Sequence, residues 1–279
     1  MSAGHDPGVA ASLEGAGGMR FEETKSTGKV TLKVFRGQGD VGVYQEFTID
    51  KEPGMVVLDC IHKIQEEQAT DLACRWNCKA GKCGSCSAEV NGKPKLMCMM
   101  RLSDLPDGEP IRVAPLKTFP LVKDLVTDVS WNYAQNERIK PFSPREMTAE
   151  EKAKGEFNMK QMDVDRVQEF RKCIECFLCQ DVCHVLRTHD RKDAFMGPRF
   201  MIRFAGLEMN PADGADRVED VREDGGVGMC NITRCCTEVC PEHIGITDNG
   251  IIPMKERVAD DRYDPLVWLG RLLTGKRRK

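Results

Sequence analysis

The chain lacks any stretch approaching the ~20 apolar residues that a membrane-spanning helix requires. Its opening, MSAGHDPGVAASLEGAGG, carries no apolar core of the kind that begins a secretory signal. A surplus of positive charge is also missing: 41 Lys and Arg stand against 44 Asp and Glu, a net charge of −3, which argues against bulk nucleic-acid binding. Gly225-Gly226-Val227-Gly228 follows no predicted strand, so it is no nucleotide fingerprint and reads as a flexible approach loop to Cys230. Hydrophobic residues make up only 41% and charged residues 30%. The 279 residues suggest about two domains, expected to lean on cofactors and partners.

What the chain has is cysteine, 14 in all. A disulfide scaffold belongs to small secreted chains. Here the chain is large and the cysteines sit in ligand-spaced groups, which points to a reducing, cytoplasmic setting. Cys173, Cys176, Cys179 and Cys183 follow the bacterial-ferredoxin spacing of two, two and three intervening residues. Cys230, Cys236 and Cys240 repeat it, with Thr233 in the second place and Pro241 after the last. In two-cluster ferredoxins the fourth cysteine of each run serves the other cluster. On that rule Cys173, Cys176, Cys179 and Cys240 hold a [4Fe-4S] cluster, leaving Cys183, Cys230 and Cys236 for the second. A hydroxyl is a poor replacement for soft thiolate sulfur. Three sulfurs suit a cluster short of one iron, so the spacing predicts [3Fe-4S] with Thr233 at the missing-ligand position. Cys235 is an alternative ligand that breaks the spacing by one residue. Structural zinc is the competing chemistry, but it uses four ligands, usually in two separated pairs, rather than seven.

A further group lies upstream. Cys78, Cys83 and Cys86 have the plant-type gaps of four and two residues, and distal Cys98 completes a [2Fe-2S] set. Gly81 and Gly84 let a loop present its amides to sulfur in conformations that a β-carbon resists. Cys74 fits no plant-type gap and is read as a non-ligand; Cys60 falls on an apolar helix face and is read as a core thiol. Around this loop, Val30 to Phe35 alternates as a strand, and Gln45 to Asp50 is its hairpin partner. Met55 to Gln68 carries a helical apolar face. Asn91-Gly92 joins strands Ser87 to Val90 and Lys95 to Cys98 through a type I′ turn. Ile111 to Ala114 is the last strand.

The fold class predicted is α+β: an N-terminal plant-type ferredoxin (β-grasp) domain, then an all-α bacterial-ferredoxin-like domain holding two cubane-type clusters. The boundaries expected are a disordered extension over 1–27, the [2Fe-2S] domain over 28–127 and the helical domain over 128–279. Within the latter, 147–155 reads as charged and exposed, and 192–207 as a helical stretch broken at Gly197-Pro198. Its stripe of Phe195, Met196, Phe200, Met201 and Phe204 reads as core in preference to a quinone pocket. The C-terminal Leu266 to Leu273, followed by a basic tail, reads equally as an element on an anionic lipid surface or as a docked terminal helix.

Taken together, CKAGKCGSC with Cys98, the two cubane runs and the linker LVKDLVTDVSWNYAQNERIKPF resemble the iron–sulfur subunit of succinate dehydrogenase or fumarate reductase over roughly residues 28–260. The resemblance implies a one-electron relay. A separate flavoprotein carries FAD and the dicarboxylate site. Electrons pass through [2Fe-2S], [4Fe-4S] and [3Fe-4S] to quinone or haem b in a membrane anchor, with the subunit peripheral on the cytoplasmic face of the cell membrane. This chain itself offers no substrate site. His184 after Cys183 and Asn231 after Cys230 depart from many ubiquinone-linked members and are closer to those paired with a dihaem cytochrome b and menaquinone. His184 and His189 are candidates for proton transfer near the exit, since histidine as a residue type changes charge near neutrality, although the plainer reading as surface or core residues carries more weight. The same relay serving fumarate reduction, or a thiol- or heterodisulfide-linked flavoprotein, is the alternative.

Overall fold

The computed structural model describes residues 28–39 and 41–274. The extension expected over 1–27 and the basic tail from 275 lie outside these residues. The first half is built on a five-stranded sheet of order β2-β1-β5-β3-β4, from β1 (Gly28–Gln38), β2 (Val41–Lys51), β3 (Ser87–Val90), β4 (Lys93–Leu96) and β5 (Ile111–Ala114). Strands β1 and β5 run parallel, and the other pairs are antiparallel. The sequence-final strand therefore lies at the centre of the sheet. Helix α1 (Val57–Glu67) covers one face with Val57, Leu58, Ile61 and Ile64, all at most 1% exposed. Burying each such side chain stabilises the fold by about 2 kcal/mol. Cys60 lies on the same face at 0% exposure.

Asn91 and Gly92 both take positive φ (49° and 77°), the geometry a type I′ hairpin demands. The second arm ends earlier than its sequence pattern predicts. Cys98 sits in a 3₁₀ turn, Met97–Met99, not in a strand. That turn carries the Cys98 thiol back to the loop before β3. A short hairpin, β6 (Leu121–Lys123) and β7 (Val126–Thr127), then leads out of the sheet.

The second half is helical: α2 (Ser130–Glu137), α3 (Ala149–Lys154), α4 (Gln161–Gln168), α5 (Leu178–Val182), α6 (His184–Arg187), α7 (Pro198–Glu208), α8 (Val218–Glu223), α9 (Cys235–Glu238), α10 (Ile252–Tyr263) and α11 (Pro265–Thr274). Three local expectations change. The 147–155 stretch is not simply exposed, because Glu151 is 1% exposed and its carboxylate receives Arg145, Thr148 N–H and Asn158 N–H. The helix expected from 192 begins only at Pro198, since Gly197 has φ +94°. Gly226 is a packed pivot: an added Cβ would sit 1.8 Å from the Ala194 carbonyl oxygen. Phe195, Met196, Phe200, Met201 and Phe204 are each at most 2% exposed and form the helical core. Helix α11 leaves Leu266, Trp268, Leu272 and Leu273 exposed. Among the described residues no helix is long and apolar enough to cross a membrane.

The two halves interlock. Phe177 and Leu178 belong to the sheet domain's core, and Phe177 meets Phe119 and Tyr133 edge-on at 6.2 and 6.0 Å. At the same seam Thr118 N–H donates to Asp181 Oδ1 (3.0 Å), while buried Glu89 pairs with Arg187 (2.6 Å) and Lys117 (3.1 Å).

Candidate metal centres

All 14 cysteines are free thiols. Between α1 and β3 the chain forms neither helix nor strand, and there it wraps around its own sulfurs. Ala80 N–H and Lys82 N–H donate to Cys78 Sγ (3.4 and 3.3 Å), and Cys78 N–H donates to Cys83 Sγ (3.5 Å). Positive φ at Lys79, Gly81 and Gly84 turns these amides inward. Burial opposes ionisation of Cys83, yet hydrogen bonds from Ser85 and the Cys78 amide outweigh it and hold the thiol down at about 6. Cys86, beside Cys98 and Cys83, is pushed up to about 12 chiefly by burial. Cys78, Cys83, Cys86 and Cys98 thus converge on one loop, with Trp76 and Met99 exposed beside it. Cys74 is also pushed up to about 12 by burial and packs against the sheet domain's core.

The two cubane runs share a backbone device. In the first, Glu175 and Phe177 take φ of 56° and 59°; in the second, Ile232 and Arg234 take 60° and 64°. A left-handed residue other than glycine costs roughly 1–2 kcal/mol, so four of them mark a conformation enforced by its surroundings. They occupy equivalent places: 175 matches 232, 177 matches 234, and a short helix follows each, α5 and α9. This correspondence of spacing and φ sets Thr233 at the position equivalent to Cys176.

Cys173, Cys176, Cys179 and Cys240 line one cavity with Phe177, Arg199, Ile202, Ile244 and Ile246. Cys183, Cys230 and Cys236 line another with Thr233, Cys235, His184 and Asn231. Burial pushes Cys176 up to about 12, Cys183 to about 11 and Cys236 to about 12, and the charges of neighbouring thiolates raise each further. Crowded buried thiols of this kind are unfavourable as bare anions, and coordination to a cation removes that penalty. Among the described residues no group of His, Cys, Asp or Glu converges tightly enough for a single ion. The cysteine-rich lining of the two cavities is the soft-sulfur donor chemistry that iron–sulfur clusters select. Thr233 Oγ1 lies 3.3 Å from Cys235 Sγ, so the alternative sulfur stands beside the missing-ligand position.

The three thiol groups adjoin in series. A Cβ on Gly84 would fall 2.6 Å from Cys176 Cα, and Ser87 Oγ donates to the Cys176 carbonyl at 2.9 Å. Between the two cubane groups, Cys179 and Cys236 are near enough for their charges to oppose one another. His184 Nε2 is 2.7 Å from Asn231 Nδ2, and the His184 and His189 rings meet at 6.3 Å, so both histidines gather beside the third group. Ser85, Ser87 and Arg199 were not singled out from the sequence. The serines sit inside the CGSCS run, whereas nothing local to Arg199 marks it.

A family model for a 2Fe-2S iron-sulfur cluster binding domain matches residues 31–133, and one for a 4Fe-4S dicluster domain matches 169–244. The fumarate reductase iron-sulfur subunit of Mycobacterium tuberculosis is 30% identical over 223 residues, covering 77% of this chain and 87% of the relative. The chain belongs to the fumarate reductase and succinate dehydrogenase iron–sulfur subunits. The succinate dehydrogenase iron-sulfur subunit of Bacillus subtilis is 29% identical over 213 residues, covering 73% of this chain and 81% of its own. Among solved structures, a chain of the Mycobacterium smegmatis Sdh1 complex in the apo form is 56% identical, with a TM-score of 0.82 over 87% of this chain and 100% of that one. As an iron–sulfur subunit of this family, the protein is an electron-transfer component of an oxidoreductase complex. Its sheet domain is a 2Fe-2S binding domain, and its helical part carries the 4Fe-4S dicluster domain.

Proposed function

We propose that this iron–sulfur subunit relays single electrons along its three thiol groups. Cys78, Cys83, Cys86 and Cys98 would hold [2Fe-2S]. Cys173, Cys176, Cys179 and Cys240 would hold [4Fe-4S], and Cys183, Cys230 and Cys236 would hold [3Fe-4S], with Thr233 in place of a fourth ligand. When bound, such clusters supply one-electron transfer, which lets the two electrons of a reduced flavin leave one at a time. The observation that carries this reading is the serial adjacency: Gly84 abuts Cys176, and Cys179 neighbours Cys236.

The chain's own contribution is positioning and environment. Inward amides from Ala80 and Lys82 donate to the Cys78 sulfur and orient it. The apolar walls Phe177, Ile202, Ile244 and Ile246 exclude water from the middle site. Apolar residues are exposed at both ends: Trp76 and Met99 beside the first group, Met229 and Ile232 beside the third. Exposed apolar groups at opposite ends suit docking to two partners. We assign the first end to a flavoprotein carrying FAD and the last to a membrane anchor, with a quinone or haem b as acceptor, the subunit itself remaining peripheral on the cytoplasmic face.

Low-temperature EPR on the native complex, oxidised and then treated with succinate, tests this. An oxidised three-iron signal that disappears with succinate, while a reduced two-iron signal grows in, is the expected result. Clusters reducible by dithionite but indifferent to succinate would mean a different flavoprotein donor.

A further inference from the structure

The cavity shared by Cys173, Cys176, Cys179 and Cys240 contains one buried cation among the described residues that line it. Arg199 is 7% exposed and is the second residue of α7, so the positive end of that helix faces the same space. Its Nη2 donates to Glu175 Oε1 at 2.5 Å. Its Nε is buried and has no protein partner. Buried N–H groups are almost always paired, and leaving one unpaired is costly. The other cavity walls are the four thiols, aliphatic and aromatic side chains, Pro241 and Glu242. The Glu242 carboxylate is engaged by Lys82 Nζ at 3.0 and 3.4 Å, which leaves sulfur as the acceptor that the other side chains of the cavity supply.

We propose that Arg199 sets the reduction potential of the four-iron site, its Nε–H donating to a sulfur there and its charge favouring the reduced state. This rests on the four-cysteine assignment above. The sign follows from electrostatics. Reduction adds one negative charge to a group in a water-poor cavity, and a fixed cation stabilises that added charge. Glu175 opposes the effect: its carboxylate partly neutralises the guanidinium and itself repels the incoming electron. A purely structural Arg199–Glu175 pair would tie α7 to the cluster loop and would predict no such opposition.

The test is potentiometric EPR of the reduced four-iron signal in the purified complex, comparing wild type, Arg199→Gln and Glu175→Gln at matched iron and sulfide content. Arg199→Gln is expected to make reduction at least tenfold less favourable, a fall of about 59 mV for one electron. Glu175→Gln is expected to move the midpoint upward, and the two-iron midpoint should stay in place in both variants. An unchanged midpoint in a fully loaded Arg199→Gln complex overturns the proposal, as do shifts of the same sign in the two variants. If Arg199→Gln fails to assemble its cluster, Arg199→Lys, which keeps the charge and loses the Nε–H, decides: a lowered midpoint supports the role and an unchanged one removes the hydrogen bond to sulfur. A wild-type complex with no four-iron signal would instead remove the cysteine assignment beneath it.

Discussion

Replacing Gly84 by alanine should separate the two cluster-bearing halves by a measurable amount. Gly84 has φ +69°, and an added Cβ would lie 2.6 Å from Cys176 Cα, 2.9 Å from its Cβ and 3.0 Å from its N. Carbon atoms rest at roughly 3.5–4.0 Å, so one backbone must retreat by about 1 Å. The left-handed conformation costs alanine about 1–2 kcal/mol, and the clash with backbone adds about 1–3 kcal/mol. Gly92 isolates the first contribution, because it also has positive φ (77°) but nothing within 4 Å of its would-be Cβ. Gly84→Ala should therefore melt below Gly92→Ala by several degrees, at about 2–4 °C per kcal/mol for a protein of this size. Retreat of the backbone also strains the Ser87 hydrogen bond to the Cys176 carbonyl. In freeze-quench EPR after succinate addition, the two-iron signal should appear at the normal rate in Gly84→Ala while the four-iron site fills late. Equal melting of the two variants, with unaltered four-iron reduction, would show that the seam is not tightly packed and that the serial adjacency is no constraint.

Other perturbations address single residues. Thr233→Cys should admit a fourth iron and lower the potential of the third site, because the shared left-handed residues align position 233 with Cys176; a persisting three-iron EPR signal would remove that assignment. Burial, aided by neighbouring Glu89, pushes Asp181 up to about 6 against the Thr118 amide and Arg187. The folded chain thus binds this proton more tightly than the unfolded chain, whose Asp titrates near about 3.9. Stability should fall as pH rises from about 4 to about 6 and then level off, by on the order of 2–3 kcal/mol in full. Asp181→Asn keeps an acceptor for Thr118 and should flatten the melting profile between about pH 4 and 6; profiles parallel to wild type would contradict the shift. Cys60 and Cys74, both pushed up to about 12 by burial, should resist iodoacetamide at pH 8 in the native protein until it is unfolded. Alkylation of either at the rate of a free cysteine would place it in a more open environment.

Much of this was legible along the chain because it is encoded over short distances. The four- and two-residue gaps around Cys78, Cys83 and Cys86, the doubled cubane spacing and the Asn91-Gly92 turn each depend on a few neighbouring residues, and the structure reproduces those local geometries. Misreadings arise where a residue's role depends on which side chains and turns meet in space, whether the partners are a few residues away or many. Glu151 looked solvent-exposed by composition, yet Arg145 and two backbone amides bury it. Gly226 looked like a flexible approach, yet Ala194 packs against it. Cys98 was read as the end of a strand, and the chain instead turns there to return its thiol to the loop.

By itself the sequence determined the thiol chemistry, the order of sheet and helical parts and the family, since spacing and pattern are properties of the chain alone. Only the tertiary structure decided which groups adjoin. The contact of Gly84 with Cys176 and the pairing of Glu89 with Arg187 and Lys117 join positions far apart in sequence. So does the placing of Arg199 in the cavity lined by Cys173 and Cys240. Such contacts come from packing two cores into one seam, where close approach, burial and unpaired polar atoms are set by three-dimensional fit rather than by intervals along the chain.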